Sequence, residues 1–181
     1  MLLSDFDYEL PEELIAQRPA ERRDASRMLV VERASGAWRE RPFAELPREL
    51  RAGDCLVVNY TRVFPARLAG RREPSGGRVE LLLVGEMGRG AARVWETLAR
   101  PARRLELSAR VRFGDGRLRA EVVGVGEGGR RVVRFSTDED FDALLDEAGR
   151  MPLPPYIKRD EWDAAAREFD RERYQTVYAE R

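Results

Sequence analysis

The 181-residue chain contains no histidine, one cysteine and one lysine. Without imidazole, histidine triads, histidine metal sites and imidazole proton relays are excluded within these residues. The single Cys55 cannot form an internal disulfide. It sits in the apolar run Cys55-Leu56-Val57-Val58 with no His to activate it, so it is read as a buried, reduced thiol rather than a nucleophile. A metal site would have to rest on carboxylates alone, and no ligand spacing for one is present. The chain also lacks a phosphate loop, a Rossmann glycine fingerprint, zinc spacing and internal repeats. No run approaches the roughly 18 apolar residues of a membrane span. The opening MLLSDFDYEL carries acids where a signal peptide is basic, which predicts a cytoplasmic protein with no membrane contact.

What is present is a globular composition with a heavily charged surface: 43% hydrophobic and 36% charged residues. Basic and acidic residues balance at 33 each, which argues against a uniformly basic nucleic-acid binder. The distribution is uneven. Residues 1–62 carry 10 Arg against 12 acids, residues 63–136 carry 16 against 8, and residues 137–181 carry 7 basic residues against 13. A positive middle between negative flanks either steers a polyanion to one part of the molecule or is a solvated Arg-rich β surface. The near-exclusive use of Arg likewise has two readings, a GC-rich genome or phosphate recognition by bidentate guanidinium groups.

Punctuation along the chain predicts two textures. Leu10 to Ile15 reads as a short helix with Pro11 at its first position, Met28 to Val31 and the neighbourhood of Trp38 as strands joined through Ala34-Ser35-Gly36, Pro47 to Leu50 as a helix, and Cys55 to Val58 as a buried strand. From Val63 the pattern becomes short strands and glycine turns: Phe64 to Leu68, Val79 to Val84, Val94 to Leu98, Ala109 to Phe113, Leu118 to Val123 and Arg131 to Phe135. About six such strands suggest a small antiparallel β-barrel, which removes exposed strand edges. A helix follows, with Thr137 as N-cap, Phe141, Leu144 and Leu145 on one face and Gly149 at its end. Met151 to Ile157 is extended because of its prolines, a second helix covers Glu161 to Phe169, and Arg173 to Tyr178 is extended. The expected fold class is α/β plus all-β: a mixed α/β domain from residues 1–62 and 150–181, with a barrel domain and its closing helix inserted at 63–149.

Several polar residues lie in ordered, apolar surroundings. Asn59, Thr61 and Arg62 follow the run ending at Val58, where open α/β sheets place ligands, although Asn59 and Thr61 also suit a turn. Arg23, Asp24 and Arg27 either clamp an anion or form a surface ion-pair network. The proline run is either a rigid spacer or a holder for Tyr156 as a stacking platform. Trp95 reads as core rather than ligand contact.

In order along the chain, these segments resemble the S-adenosylmethionine:tRNA ribosyltransferase-isomerase family of queuosine biosynthesis. The similarity is carried by Tyr8 to Gln17, Arg23-Asp24-Ala25-Ser26-Arg27, Gly53 to Leu68, Gly76 to Leu83, the Trp95 and Arg100-Pro101 neighbourhood, Met151 to Ile157 with Arg159, and Arg173 to Ala179. The family has the same mixed domain with an inserted barrel. The resemblance implies transfer and isomerisation of the ribosyl group of S-adenosylmethionine onto 7-aminomethyl-7-deazaguanine in tRNA, giving epoxyqueuosine with release of adenine and methionine. S-adenosylmethionine is then a substrate, no metal is expected, and the full-length protein is expected to be a monomer. Such a site must hold a sulfonium cation, place C5′ beside the acceptor amine, remove a proton and stabilise departing adenine.

Carboxylates suit the sulfonium and the proton, so the resemblance makes Asp24 and Glu80 the catalytic candidates. Arg23, Arg27, Arg62 and Arg67 suit the methionine carboxylate or tRNA phosphates. Tyr156, Tyr174 and Tyr178 suit stacking on adenine or a flipped base. Ser26, Asn59, Thr61, Arg159 and Gln175 complete the donor or substrate candidates. The family carries Asp or Asn where Tyr60 stands here. It also continues past the position of Arg181 with a segment rich in Ala, Pro, Thr and Gly, then Leu-His-Phe. The resemblance therefore implies that a further half supplies a His and much of the donor site, as a continuation of this chain or as another chain, and that 181 residues alone are inactive. The alternative is a non-catalytic tRNA- or RNA-binding barrel module.

Overall fold

Period-two alternation in residues 63–136 builds strands with one apolar and one polar face, and the computed structural model of the chain closes them on themselves. The structure describes residues 1–89, 93–160 and 163–179. Its residues fall into two compact units, Met1–Asn59 with Pro155–Lys158, and Tyr60–Pro154 with the described part of Arg159–Arg181.

The second unit holds the barrel. Six strands, β3 (Arg67–Glu73), β4 (Arg78–Arg89), β5 (Arg93–Arg100), β6 (Arg110–Phe113), β7 (Leu118–Val125) and β8 (Arg130–Ser136), close in the order β3-β4-β5-β8-β7-β6. Every neighbouring pair is antiparallel, including the closing pair β3–β6. Positive-φ glycines at Gly76, Gly114 and Gly116 make the tight β3–β4 and β6–β7 connections, a backbone region that other residues enter at a cost. Inward positions fill the core: Leu68, Leu81, Val111, Phe113, Leu118, Val122, Val133 and Phe135 are all essentially inaccessible to solvent. Trp95, read as core, is buried as well. Each such aliphatic or aromatic side chain stabilises the barrel by roughly 1.5–3 kcal/mol through burial.

Helix α1 (Phe141–Ala148) adds Phe141, Leu144 and Leu145 to this core, with Phe141 tilted against Phe135 at 5.2 Å between ring centres. Its N-cap is Asp140, whose carboxylate accepts from the Ala143 amide at 2.7 Å. Thr137, the expected cap, instead accepts from the Glu139 amide at 3.0 Å, because a carboxylate three residues before the amide competes better for the helix start. Arg131 is the buried cation of the barrel. Its guanidinium donates to the carbonyls of Ala102 at 2.6 Å, Arg130 at 2.7 Å and Leu105, so carbonyl dipoles replace the water it loses. Helix α2 (Ala164–Arg173) is capped by Asp163, which accepts from the Ala166 amide at 2.9 Å. The expected start at Glu161 lies outside the described residues, and the helix runs four residues past the expected end at Phe169.

The first unit carries a hairpin, β1 (Arg27–Val31) with β2 (Trp38–Pro42), paired from Arg27↔Pro42 to Val31↔Trp38. The expected helices at residues 10–15 and 47–50 are 3-10 turns, Glu12–Leu14 and Phe43–Glu49, the latter containing Pro47. A 3-10 turn tolerates what a short α-helix with an internal proline does not. A larger correction concerns Cys55 to Val58. These residues form no strand, and Cys55, Leu56, Val57 and Val58 are all exposed. An apolar run becomes a strand only when a neighbour supplies the hydrogen-bond ladder, and no described segment pairs with this one. Among the described residues, no helix is long and apolar enough to cross a membrane.

Candidate functional site

Within the barrel unit, several candidate residues converge where the chain enters and leaves the barrel. The start of β3 and the segment after α1 are bridged by reciprocal backbone bonds, Arg67 N–H to Arg150 O at 3.0 Å and Arg150 N–H to Arg67 O at 2.9 Å. The Arg67 guanidinium, three-quarters buried, donates to Glu80 at 3.1 Å and to the Leu153 carbonyl at 2.9 Å. Tyr174 donates its hydroxyl to the Pro152 carbonyl at 3.1 Å. Gln175 pairs with the backbone of Val63 through both ends of its amide, at 2.8 and 2.7 Å. Arg159 grips Asp170 with Nε and a terminal nitrogen, the shortest contacts being 2.9 Å. The hydrogen bonds to Asp170, and then its negative charge, hold the Arg159 guanidinium above its usual pKa.

Four residues singled out for ligand contact, Arg67, Arg159, Tyr174 and Gln175, thus spend polar atoms on the chain itself. Arg67, Tyr174 and Gln175 hold the proline run and the barrel entrance in place, and Arg159 ties its own segment to α2. Tyr178 is half-exposed, and the positions of Thr61 and Arg62 precede β3 on an exposed stretch. Glu80 sits on β4, opposite Ala69 on β3 and Arg100 on β5, facing outward with Arg67.

In the other unit, Asp24 pairs with Arg22 at 2.7 Å rather than with Arg23 or Arg27. The hydrogen bond from Arg22, together with its charge, holds the Asp24 carboxyl below the ordinary carboxylate range. Arg27 faces Glu40 at 3.5 Å, and Ser26 donates to the Arg23 carbonyl at 3.4 Å. Asn59 is exposed, ending this unit's chain before the barrel begins. Gln17 organises the short 155–158 segment: its side chain donates to the Tyr156 carbonyl at 3.0 Å and accepts from the Lys158 amide at 2.8 Å. The Tyr156 ring remains half-exposed. Among the described residues, no group of three or more His, Cys, Asp or Glu side chains is arranged to hold a metal.

The barrel's outer face carries a feature that the strand pattern alone did not reveal. A cleft of about 680 Å³ is lined by seven arginines and three carboxylates, contributed by β3 to β6, the turn after β6, α1 and α2. Arg117 takes up two of those carboxylates, Asp115 at 2.7 Å and Glu147, besides Glu139 at 3.2 Å. These contacts push its guanidinium further up. Arg167 caps the end of α1, donating to the carbonyls of Asp146 at 3.2 Å, Gly149 at 2.9 Å and Glu147. Burial, then the charges of Arg171 and Arg150, push the Arg167 guanidinium down. Positive charge therefore exceeds negative at the cleft.

The family described as "Queuosine biosynthesis protein" matches residues 3–181. A protein of Symbiobacterium thermophilum named S-adenosylmethionine:tRNA ribosyltransferase-isomerase is 51% identical over 179 residues, covering 99% of this chain and 50% of its own length. One of the same name from Desulfitobacterium hafniense is 48% identical over the same shares. A crystal structure of S-adenosylmethionine tRNA ribosyltransferase from Thermotoga maritima is 39% identical, covers 81% of this chain and 49% of that one, and superposes with a TM-score of 0.39. The chain spans about half the length of the curated relatives it matches.

Proposed function

The chain belongs to the queuosine biosynthesis protein family, and from that premise we propose that it forms part of an S-adenosylmethionine:tRNA ribosyltransferase-isomerase. The reaction is transfer of the ribosyl moiety of S-adenosylmethionine to 7-aminomethyl-7-deazaguanine in tRNA, with isomerisation to epoxyqueuosine and release of adenine and methionine. The observation that carries this reading is the 51% identity across 99% of the chain to a relative of that name. A cytoplasmic location follows from a tRNA substrate. Residues 1–62 and 150–181 are proposed as parts of one α/β domain, with 63–149 inserted.

The chain's own groups suit distinct duties. Asp24, with its pKa lowered by Arg22, stays anionic at neutral pH and is a weak base; it suits holding the donor's sulfonium charge. Glu80 lies on the rigid barrel wall with Arg67 at 3.1 Å, which orients one of its oxygens; it suits accepting the proton of the attacking amine. Arg23, Ser26, Arg27, Asn59, Thr61 and Arg62 are proposed as donor or substrate contacts. Arg67, Tyr174 and Gln175 support the barrel entrance by fixing its backbone, and Arg159 does so through its pair with Asp170. Tyr156 and Tyr178, both half-exposed, suit stacking on a base.

The test is adenine release from S-adenosylmethionine in the presence of precursor tRNA. The protein to assay is a chimera of these 181 residues followed by the second half of the Symbiobacterium thermophilum relative, with the 181-residue chain as control. Adenine that appears only when donor and precursor tRNA are both present is the expected result. A folded chimera that binds the tRNA yet releases no adenine refutes the enzyme reading and leaves a binding module.

A further inference from the structure

Strand register places four arginines in one row across the barrel. Arg78 on β4 lies opposite Arg71 on β3, Arg71 opposite Arg112 on β6, and Arg112 opposite Arg119 on β7. All four are exposed. With strands about 4.8 Å apart, the row spans about 14 Å. Like charges directly opposite one another on adjacent strands destabilise a sheet, so the row's mutual repulsion is a cost the fold carries. At three of the four positions no acidic side chain among the described residues is the partner. Arg71 donates to the Gly76 carbonyl at 3.1 Å and Arg119 to the Gly116 carbonyl at 3.3 Å, while Arg112 has no partner among the described residues. Arg71, Arg78 and Arg112 also line the 680 Å³ cleft, joined there by Arg100 and Arg150. The cleft's Asp115 and Glu147 are taken up by Arg117, and Glu80 by Arg67.

We propose that this four-arginine row is a phosphodiester track that binds the RNA backbone and leads it to the Glu80 face of the barrel. Three facts select the ligand. A linear row of guanidinium groups matches a chain of phosphates rather than one compact anion, and each planar fork presents two parallel donors to a phosphate's oxygens. The row is on the solvent side, so binding requires no rearrangement of the core. It also ends beside the catalytic candidate: Arg78 and Glu80 are two residues apart on β4 and share its outer face, about 6.8 Å along the strand. The inference deepens the enzyme reading by giving its tRNA a place on the barrel.

The test uses the 181-residue chain and an unmodified tRNA transcript, with binding followed by fluorescence anisotropy from low to physiological salt. The variant R71Q/R112Q/R119Q should bind ~tenfold or more weakly at low salt, with the slope of log K against log salt shallower by about 2, as expected for three lost phosphate contacts. A control of equal charge, R33Q/R51Q/R103Q, should keep the parent's slope. Inorganic phosphate at the same phosphate concentration should not displace the tRNA. The melting temperature of the row variant should be unchanged or higher, because repulsion has been removed. Equal losses in both variants, no loss in the row variant, displacement by inorganic phosphate, or no tRNA binding by the parent would each overturn the track. Failure of the track in a parent that binds tRNA leaves the enzyme reading intact. Absence of adenine release with the track confirmed removes the enzyme reading alone.

Discussion

Replacing Asp170 by Asn separates a supporting role for Arg159 from availability to a ligand. Asp170 is 7% exposed, and the side chains of Arg159 and Asp170 keep 22% and 10% of their surface in water. Arg159 reaches it with three contacts of 2.9 to 3.2 Å. Removing one partner of a fully buried pair costs about 3–5 kcal/mol, mostly because the other charge is left desolvated. Two features reduce that figure here: water still reaches part of Arg159, and the Asn carbonyl keeps one acceptor. The expected loss is therefore about 2 kcal/mol, or roughly 4–8 °C in Tm for a chain of this size. Replacing both residues with apolar ones, as in R159M/D170L, should restore most of the loss, since the desolvation penalty of both charges disappears. Calorimetric melts of the parent, D170L, R159M and the double variant close a cycle with a coupling of about 2 kcal/mol. A D170N melt within 1 °C of the parent, or a double variant less stable than either single one, would show that Arg159 is not held by Asp170.

Two further predictions rest on other parts of the structure. A Cβ added at Gly70 would lie 2.6 Å from a Val111 methyl and 2.7 Å from the Phe113 ring, both in the core, so Gly70→Ala should cost about 1–3 kcal/mol by urea denaturation; an unchanged midpoint would mean that the β3–β6 seam is looser than described. Arg22→Gln should raise the Asp24 pKa towards its ordinary value, read by carbon NMR of the carboxyl, because the lowering comes first from the Arg22 hydrogen bond. The sign follows for stability: a depressed carboxylate contributes above its unfolded pKa and loses that contribution as pH falls through the folded one, so the variant should lose the parent's corresponding pH dependence below about pH 4.

How much of the molecule was legible from residues alone varies with the range of the forces involved. Leu118 to Val123 alternates, and β7 runs from Leu118 to Val125 with Leu118, Ala120 and Val122 buried. Period-two patterning is local, so it survives into the structure. The closing helix was legible for the same reason, with Phe141, Leu144 and Leu145 at helical spacing and all buried. The 55–58 run was not. Its hydrophobicity marks a segment that tends to be buried, but a strand also needs a partner, and that depends on residues far away in the chain.

The amino-acid sequence determined by itself the family, the barrel's strand content and the exclusion of imidazole chemistry within these residues. Tertiary structure alone decided the closed order β3-β4-β5-β8-β7-β6, the diversion of Arg159 into a pair with Asp170 and of Tyr174 and Gln175 into backbone support, and the alignment of Arg78, Arg71, Arg112 and Arg119. The physical reason is that composition and periodicity belong to short stretches of chain. Register belongs to pairs of strands, and four arginines scattered over about fifty residues become one row only when hydrogen bonding between strands sets them side by side.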